Sequence, residues 1–527
     1  MRKLIGNLLL ICTLIATNGV FAQTHPIQVR VKGIADTTVY LANYYGEKLF
    51  YNDTARADAS GYFEFKGKKA EDGGKYAIVV PGPKYFEILV ADEPIHIETS
   101  NTDMVGDLKV IESNENKLFV DYMRFIQDKR NQRTPFDQVL ADSTGKHTEK
   151  EKEFARTEIE RLNAEVVAHQ NNVIASHPEK LFSKMLKLTL EPEIPSTPAG
   201  VENEALWKYH YYRDHFWDNV DLTDGRLVRD PMFHRLLDKY WSKVVPQVPD
   251  TLIREAHELL GRAKAYDTFK YIAHHITFTA EKSNLMCMDK VFVSMVNTYY
   301  RTGKADWLTE EQLSKIIERA DELKYVQCGE PVPNIILPNE KNEWKALYDI
   351  NAKYTVIAIW EASCGHCKKE MPKLKELYAR WKPRGLEFYA IGNDFETEPW
   401  LKFIKEREIN DWINVSDNPA INASDSATKL IYGGITTLPS LNFRSTFDVF
   451  STPKMFLLDA DKKIIAKQLG AEQLEELLMR LEGDELPADG KKASEKGDSK
   501  SGTTNEPKSK AVRDDKAVRD DKAKKKA

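Results

Sequence analysis

The sequence predicts a multidomain protein with a β-sandwich-like N-terminal domain, an α-helical middle domain and a C-terminal α/β domain. Three observations lead there. Short runs of alternating apolar and polar residues fill the chain up to residue 112, helix-period stretches take over from 113 to 326, and strand and helix patterns alternate from 327 to 484. At 527 residues the chain is also too long for one core, since domains average about 150 residues. The 76 basic and 81 acidic residues leave a formal charge of −5 and no basic face, which argues against nucleic acid as a partner.

The first element is a signal peptide over residues 1–22. Arg2 and Lys3 precede the apolar run Leu4 to Ala16, and Val20-Phe21-Ala22 supplies the small residues that a signal peptidase reads, so cleavage is expected after Ala22. The competing reading, a membrane anchor, needs about 20 apolar residues, and this run stops at Thr17-Asn18-Gly19. Cys12 follows the bulky Ile11 where lipid-attachment signals use a small residue, so it reads as filler of the apolar run. The expected location is the periplasm or cell envelope. Four cysteines then remain, Cys287, Cys328, Cys364 and Cys367, too few for a disulfide-built scaffold of this size.

Residues 23–112 contain "IQVRVKG", "TTVYLANYY", "GYFEFKG", "KYAIVVPG", "YFEILV" and "IHIETS". Their period-two alternation with Gly, Pro and Asp punctuation predicts an antiparallel sandwich or small barrel, an accessory module without evident chemistry. Residues 113–326 are predicted helical, with long stretches over 149–175 and 251–278. For "LWKYHYYRDHFWDNV", Leu206 to Val220, a groove for polypeptide or sugar competes with a buried helix face; core packing is the expected role of aromatics at helical spacing. His210 and His215 are five apart and His274 and His275 adjacent, neither of which suits two ligands on one helix face, so no metal is assigned.

Residues 327–484 open on "GEPVPNIILPN", where Gly and Pro break the helices. Strands are then expected over 354–360, 386–391, 454–458 and 464–467, with helices over 364–381, 399–407 and 471–481, giving a mainly parallel or mixed sheet covered on both faces. The last stretch, 485–527, is Lys, Asp, Ser, Gly and Ala with "KAVRDD" written twice, too polar to offset its ordering entropy and expected to be disordered.

The chemistry concentrates in "ASCGHCKKEMP", Ala362 to Pro372. Free amides and the positive end of the helix dipole favour an anion at a helix start, so Cys364 there is the candidate nucleophile. Cys367, one turn on and more buried, suits the resolving thiol. His366 and Lys368 set polarisable or cationic groups beside the thiolate, favouring the dithiol and making the pair more oxidising. Met371, Leu374, Leu377, Tyr378 and Trp381 form the buried stripe, and Pro372 inside the helix removes one backbone bond.

"VIAIWEASCGHCKKEMPKL" resembles the active-site strand and helix of thioredoxin-fold thiol-disulfide oxidoreductases, and "CKKEMP" is most similar to the TlpA/ResA branch of exported bacterial members. "GEPVPNIILPN" resembles that branch's entry segment, and "STPKMFLLDADKKIIAKQLG", Ser451 to Gly470, its later hairpin. The β-rich start and helical middle resemble the accessory regions of Bacteroidetes-type members. The resemblance implies a thioredoxin-like fold for the C-terminal domain, catalytic Cys364 and Cys367, and a substrate groove formed by Trp360, Thr452 and Pro453, with Thr452-Pro453 in the place of the cis-proline loop. It implies redox tuning by Gly365, His366 and Glu370, no cofactor beyond the redox-active Cys364–Cys367 disulfide, and as partners exported proteins with thiols or disulfides and a membrane or periplasmic redox partner. The chain departs from thioredoxin in having Ser363 before the first cysteine and Ala358 where the buried acid stands. Gly365-His366 is the dipeptide of protein disulfide isomerases, so the direction of electron flow stays open between reductase and isomerase or oxidase.

A zinc half-site needs two further ligands, and Cys287 and Cys328 share no CxxC spacing and have no flanking histidines. These two are expected to be unpaired, one a buried thiol in a helix and one at a domain joint, with a second disulfide or an electron relay as the alternative. A peroxidatic cysteine would lie in a different Pro/Thr setting. The rival function is a polypeptide- or partner-binding envelope protein whose redox domain is accessory.

Overall fold

The computed structural model describes residues 25–66, 72–82, 84–417 and 425–484. The signal peptide expected over 1–22 and the tail expected over 485–527 lie outside the described residues. The chain divides into two compact units, Met1–Cys328 and Gly329–Ala527.

The first unit opens with strands β1 (Ile27–Lys32), β2 (Thr38–Tyr45), β3 (Lys48–Arg56), β4 (Tyr62–Phe65), β5 (Gly74–Val80), β6 (Lys84–Val90), β7 (Ile95–Ser100) and β8 (Lys109–Glu112). They form two four-stranded sheets, ordered β4-β1-β7-β8 and β3-β2-β5-β6. Alternation works as expected in β1, where Ile27, Val29 and Val31 are buried and the residues between them are not. One expectation fails: β1 and β7 pair in parallel, Ile27 beside Ile95 and Val29 beside Ile97, because the strands between them include the whole second sheet. Strand β3 escaped the sequence reading since none of its nine residues is buried, leaving no apolar alternation to see.

Helices α1 (Asn114–Ala141), α2 (Glu149–Ser176), α3 (Leu181–Lys187), α4 (Glu204–Asp214), α5 (Pro231–Lys239), α6 (Pro249–Arg262), α7 (Tyr266–Glu281), α8 (Asp289–Met295) and α9 (Glu310–Leu323) follow. A capping box of Thr148 and Glu151 starts α2. Strands and helices share one compact unit because the β2–β3 turn meets the helical part directly. The Gly46 amide donates to the Val228 carbonyl at 3.2 Å. A Cβ at Gly46, whose φ is +62°, would lie 2.1 Å from the Tyr271 hydroxyl oxygen, so only glycine fits.

Three expectations for this unit need correction. The helix expected over 251–278 is two helices, α6 and α7, broken at Ala263–Ala265. The aromatic stretch is not one buried helix face: α4 buries none of its residues, and only Phe216, Trp217 and Val220 beyond its end enter the core. On α4 the rings stack on one another instead, Tyr211 on His215 at 4.1 Å, while the Tyr209 hydroxyl donates to the Val244 carbonyl at 2.9 Å.

Third, Cys287 and Cys328 are bonded, with Cα atoms 5.7 Å apart. Cys287 sits in the turn before α8 and not in a helix, and the packing of the segments that flank α8 and follow α9 brings the two together. Gln327 supports the same crossing, its amide donating to Asp289 Oδ2 and to the Leu323 carbonyl, both at 2.9 Å. A cross-link spanning 41 residues stabilises by roughly 4 kcal/mol in the chain-entropy account.

The second unit holds β9 (Ile336–Pro338) and β10 (Trp344–Ala346) as a small hairpin, then β11 (Tyr354–Trp360), α10 (Gly365–Trp381), β12 (Leu386–Gly392), α11 (Thr397–Arg407), β13 (Ile413–Ser416), β14 (Lys454–Leu458), β15 (Ile464–Lys467) and a closing helix, Ala471–Glu482. The five-stranded sheet is mixed, ordered β13-β12-β11-β14-β15, with β11, β12 and β13 parallel and β14 and β15 antiparallel. Every residue of β11 is buried, as befits a central strand covered on both faces. The stripe Met371, Leu374, Leu377, Tyr378 and Trp381 of α10 is buried against Val356, Ala358 and Trp360, as its spacing predicts.

Candidate functional site

Register assembles the site. Trp360 pairs with Gly392 and Ile359 with Lys454, so the residues following β11 and β12 and those preceding β14 emerge at one edge of the sheet. Ligand and reaction sites form at such strand ends in α/β sheets. Here the three segments are Glu361–Cys364, Asn393–Phe395 and Phe450–Pro453.

Cys364 is the N-cap of α10. Its Sγ accepts the Cys367 amide at 3.1 Å and lies 3.2 Å from the Thr452 carbonyl, to which the protonated thiol donates. The Thr452–Pro453 peptide is cis. Partial burial pushes the Cys364 thiol up, but hydrogen bonds from the Cys367 thiol, the Thr452 side chain and the amides of Cys367 and His366 outweigh it, so its pKa falls below the ordinary thiol value. Cys367 is fully buried in the core beneath α10. Burial first, and then the hydrogen bond with Cys364, push its thiol up to about 12. Both sulfurs are free thiols in this structure, so the pair stands in its reduced form.

Other expected residues are placed unevenly around the pair. His366 and Gly365 are exposed in the first turn of α10, and a Cβ at Gly365 would meet nothing within 4 Å, so packing does not demand glycine there. The Thr452 carbonyl lies 3.2 Å from Cys364 Sγ, and Pro453 follows it through the cis peptide bond. Trp360 does not line a groove: it is fully buried and stacks on Phe403 at 4.6 Å, because it shares the face of β11 with Val356 and Ala358. The contacts of Glu370 also point elsewhere. Its Oε2 accepts the Ala471 amide at 3.1 Å and its Oε1 lies 3.4 Å from Lys373 Nζ, which ties it to the start of the closing helix, where free amides attract a carboxylate.

Asp394 went unnoticed in the sequence. It lies two residues past β12, and both its oxygens accept the Ala362 amide, at 3.0 and 3.1 Å, fixing the turn that delivers Cys364. Burial raises its pKa, the Ala362 hydrogen bond lowers it and the Glu361 charge raises it, for a net rise. Only its position after a central strand's carboxyl end could have signalled it. Beside it Phe395 is 75% exposed, and Phe450, two residues before Thr452, is 80% exposed. Among the described residues, no group of three or more His, Cys, Asp or Glu could hold a metal ion.

Residues 328–467 match the AhpC/TSA family. The thiol-disulfide oxidoreductase ResA of Bacillus cereus is 30% identical over 153 residues, which span 29% of this chain and 75% of that protein. The chain belongs to the ResA-like thiol-disulfide oxidoreductases. Like ResA it is an oxidoreductase of thiols and disulfides, and it carries two further matches before the thioredoxin-like part, to domains of unknown function over 25–119 (DUF4369) and 143–325 (DUF5106). Among solved structures, a thioredoxin-like protein from Bacteroides caccae is 18% identical with a TM-score of 0.40, covering 55% of this ResA-like chain and 97% of its own. The thioredoxin domain of a thiol-disulfide oxidoreductase from Bacteroides vulgatus is 24% identical with a TM-score of 0.24, covering 29% and 96%.

Proposed function

We propose that this protein exchanges disulfides with exported protein substrates through the dithiol of Cys364-Gly365-His366-Cys367, Cys364 attacking and Cys367 resolving. The observation that carries this reading is the opposite displacement of two thiols one helical turn apart: Cys364 is lowered and Cys367 is raised to about 12. A thiolate is the nucleophile in exchange. Cys364 therefore attacks a substrate sulfur, the other substrate sulfur leaves and takes up a proton, and the protonated Cys367 stays inert until the mixed disulfide has formed. Cys367 then loses its proton and attacks Cys364 Sγ, releasing the second substrate thiol. Thr452 and Pro453 wall the site, and the exposed rings of Phe395 and Phe450 suit apolar side chains flanking a substrate cysteine.

Insulin reduction by dithiothreitol, followed as turbidity, tests the reading: the wild type accelerates it and Cys364→Ser does not, and two flat traces would sink it. The direction of exchange stays open between reductase and isomerase or oxidase, and the residues between the cysteines bear on the potential. Exposed His366 supports a potential less reducing than the roughly −270 mV of thioredoxin; a glutathione equilibrium at or below that value refutes it. Export to the periplasm or cell envelope through a signal peptide cleaved after Ala22 is supported by Arg2, Lys3 and the apolar run after them. N-terminal sequencing of the exported protein should begin at Gln23. We divide the mature chain into accessory domains over 23–112 and 113–326, a thioredoxin-like domain over 327–484 and the charged tail; limited proteolysis that yields no stable fragment beginning near 327 would contradict the division.

A second reading, in which the front of the chain grips polypeptides and the redox domain is accessory, draws on α4, a helix with five aromatic or histidine rings and no buried residue. Inactivity toward insulin combined with saturable binding of an unfolded polypeptide would favour it.

A further inference from the structure

We propose that the first unit holds a binding cavity for extended polypeptide segments with apolar side chains, between one face of the sheet β3-β2-β5-β6 and helices α1, α3 and α5. This rests on the second reading above, to which it gives a site other than α4, and it is independent of the dithiol. The cavity measures about 460 Å³, within the roughly 300–1,000 Å³ usual for ligand sites. Strand register builds its polar wall. Ala77 pairs with Ala42 on one side and Glu87 on the other, and side chains two apart on a strand share a face. Tyr44, Lys75 and Glu87 therefore stand together, where the small Ala42 and Ala77 leave room. The Tyr44 hydroxyl donates to Glu87 Oε1 at 2.8 Å, and Lys75 Nζ lies 3.2 Å from Asp230 Oδ2 at the start of α5. Arg235 Nε donates to Glu47 Oε1 at 3.3 Å.

The floor is apolar: Phe119, Phe182, Met185 and Leu186 are buried, and Phe182 meets Phe119 and Tyr122 edge-on, with ring centroids 5.5 and 5.3 Å apart. The mouth opens to solvent, for Met123 is 42% exposed and the Arg235 and Glu47 side chains are 66% and 54% exposed. Three features select the occupant. The charges in the lining are matched to one another, and three carboxylates stand against two cations, so an anion is disfavoured and the depth suits a neutral apolar group. Lys75 and Arg235 bring donors and Glu47 and Glu87 acceptors, which fits a peptide backbone with one of each per residue; a hydrocarbon chain would satisfy neither. Met123, Met185 and Met232 line the cavity, and their unbranched side chains repack around different partners over the fixed rings. The Lys75–Asp230 pair adds a sign of use. Its side chains are only 20% and 7% exposed, a desolvation cost that a wall serving stability alone avoids with apolar residues.

The experiment uses the full chain and a fluorescein-labelled peptide of Phe, Leu, Ser and Gly, free of cysteine so that the dithiol plays no part, followed by fluorescence anisotropy. The wild type should bind it saturably. Met232→Glu and Met123→Glu, each placing a carboxylate at the cavity, should weaken binding at least about tenfold, as should replacing Phe and Leu of the peptide by Ser. Met123 is exposed, so its variant should keep the wild-type circular dichroism even where that of Met232→Glu does not. Tyr211→Ala on α4 should bind as the wild type does. Unchanged affinity in folded Met123→Glu, or equal binding of the Ser peptide, overturns the proposal. Loss of binding in Tyr211→Ala alone also overturns it and leaves the second reading standing on α4. No binding of the peptide by the wild type overturns both, whether or not phosphatidylcholine vesicles bind in its place.

Discussion

Alkylation of the reduced protein across a pH series, with Cys367→Ala as the perturbing variant, tests the physical basis of the site. An ordinary cysteine with a pKa near 8.5 is about 3% thiolate at pH 7. Cys364 is lowered, so its thiolate exceeds that fraction, whereas Cys367, raised to about 12, is thiolate in only about one part in 10⁵. The ratio is at least about 3,000. Intrinsic nucleophilicity rises with pKa, with a Brønsted slope of about 0.45, which returns roughly 1.6 powers of ten to Cys367. A difference of about a hundredfold in rate survives, before the complete burial of Cys367 slows it further. Iodoacetamide in single-hit amounts, followed by peptide mass spectrometry, should therefore label Cys364 at least about a hundred times faster at neutral pH. Its rate should level off with a midpoint below that of an ordinary cysteine, while that of Cys367 keeps climbing through pH 9. The Cys367 thiol is the largest of the contributions that lower Cys364, so Cys367→Ala should move the Cys364 midpoint upward. Labelling rates within tenfold of each other, or a midpoint that moves down in Cys367→Ala, would refute the account.

Asp394→Ala should cost about 1–3 kcal/mol in urea unfolding, because it strips the Ala362 amide of its acceptor, while Asp394→Asn, which keeps an acceptor oxygen, should cost less. The sign of the pH effect follows from the raised pKa of Asp394: the folded state holds its proton more tightly than the unfolded chain, so the wild type should gain stability relative to Asp394→Asn as pH falls through the folded pKa, a gain complete below the unfolded value near 3.9. Trp360→Ala should cost about 3–5 kcal/mol of stability and leave the saturation of insulin reduction unchanged for the folded fraction, since the ring lies in the core and not in the groove. Glu370→Ala should lower stability by roughly 1 kcal/mol through the start of the closing helix and leave the glutathione equilibrium where it was; a shift of that equilibrium would restore Glu370 to the redox machinery.

What the sequence disclosed was whatever short-range patterning controls. Strand β11 and helix α10 were legible nearly to the residue: seven consecutive buried positions need a run of apolar residues, and a helix stripe needs its 3.6-residue period. The position of Cys364 at a helix start followed from the same pattern. The side of the sheet on which Trp360 falls did not, because a strand buried on both faces carries no alternation to orient it. Asp394 was invisible for a related reason. Its role comes from the alignment of β12 beside β11, and its own neighbours in sequence say nothing of the Ala362 amide it meets. Strand β13, four residues with Asn and Ser in it, is held by pairing with β12 and has little strand character of its own.

The two cysteine pairs mark the boundary between these kinds of information. Residues three apart at a helix start are brought together by one turn of backbone, so the spacing of Cys364 and Cys367 already contains their geometry. Cys287 and Cys328 are 41 residues apart, and their meeting depends on how α8 and α9 fold back on each other, an outcome of many weak contacts that no spacing encodes. The same distinction separates the thiols chemically. A neighbouring thiol and local amides, fixed by the first turn of α10, lower Cys364 together with Thr452 from across the sheet edge; what raises Cys367 above all is burial, which only the assembled sheet and helices supply. A peptide of residues 361–372 should therefore lose most of the asymmetry between its two sulfurs, its second thiol returning toward about 8.5, and alkylation of that peptide beside the intact protein separates what the motif provides from what the fold adds.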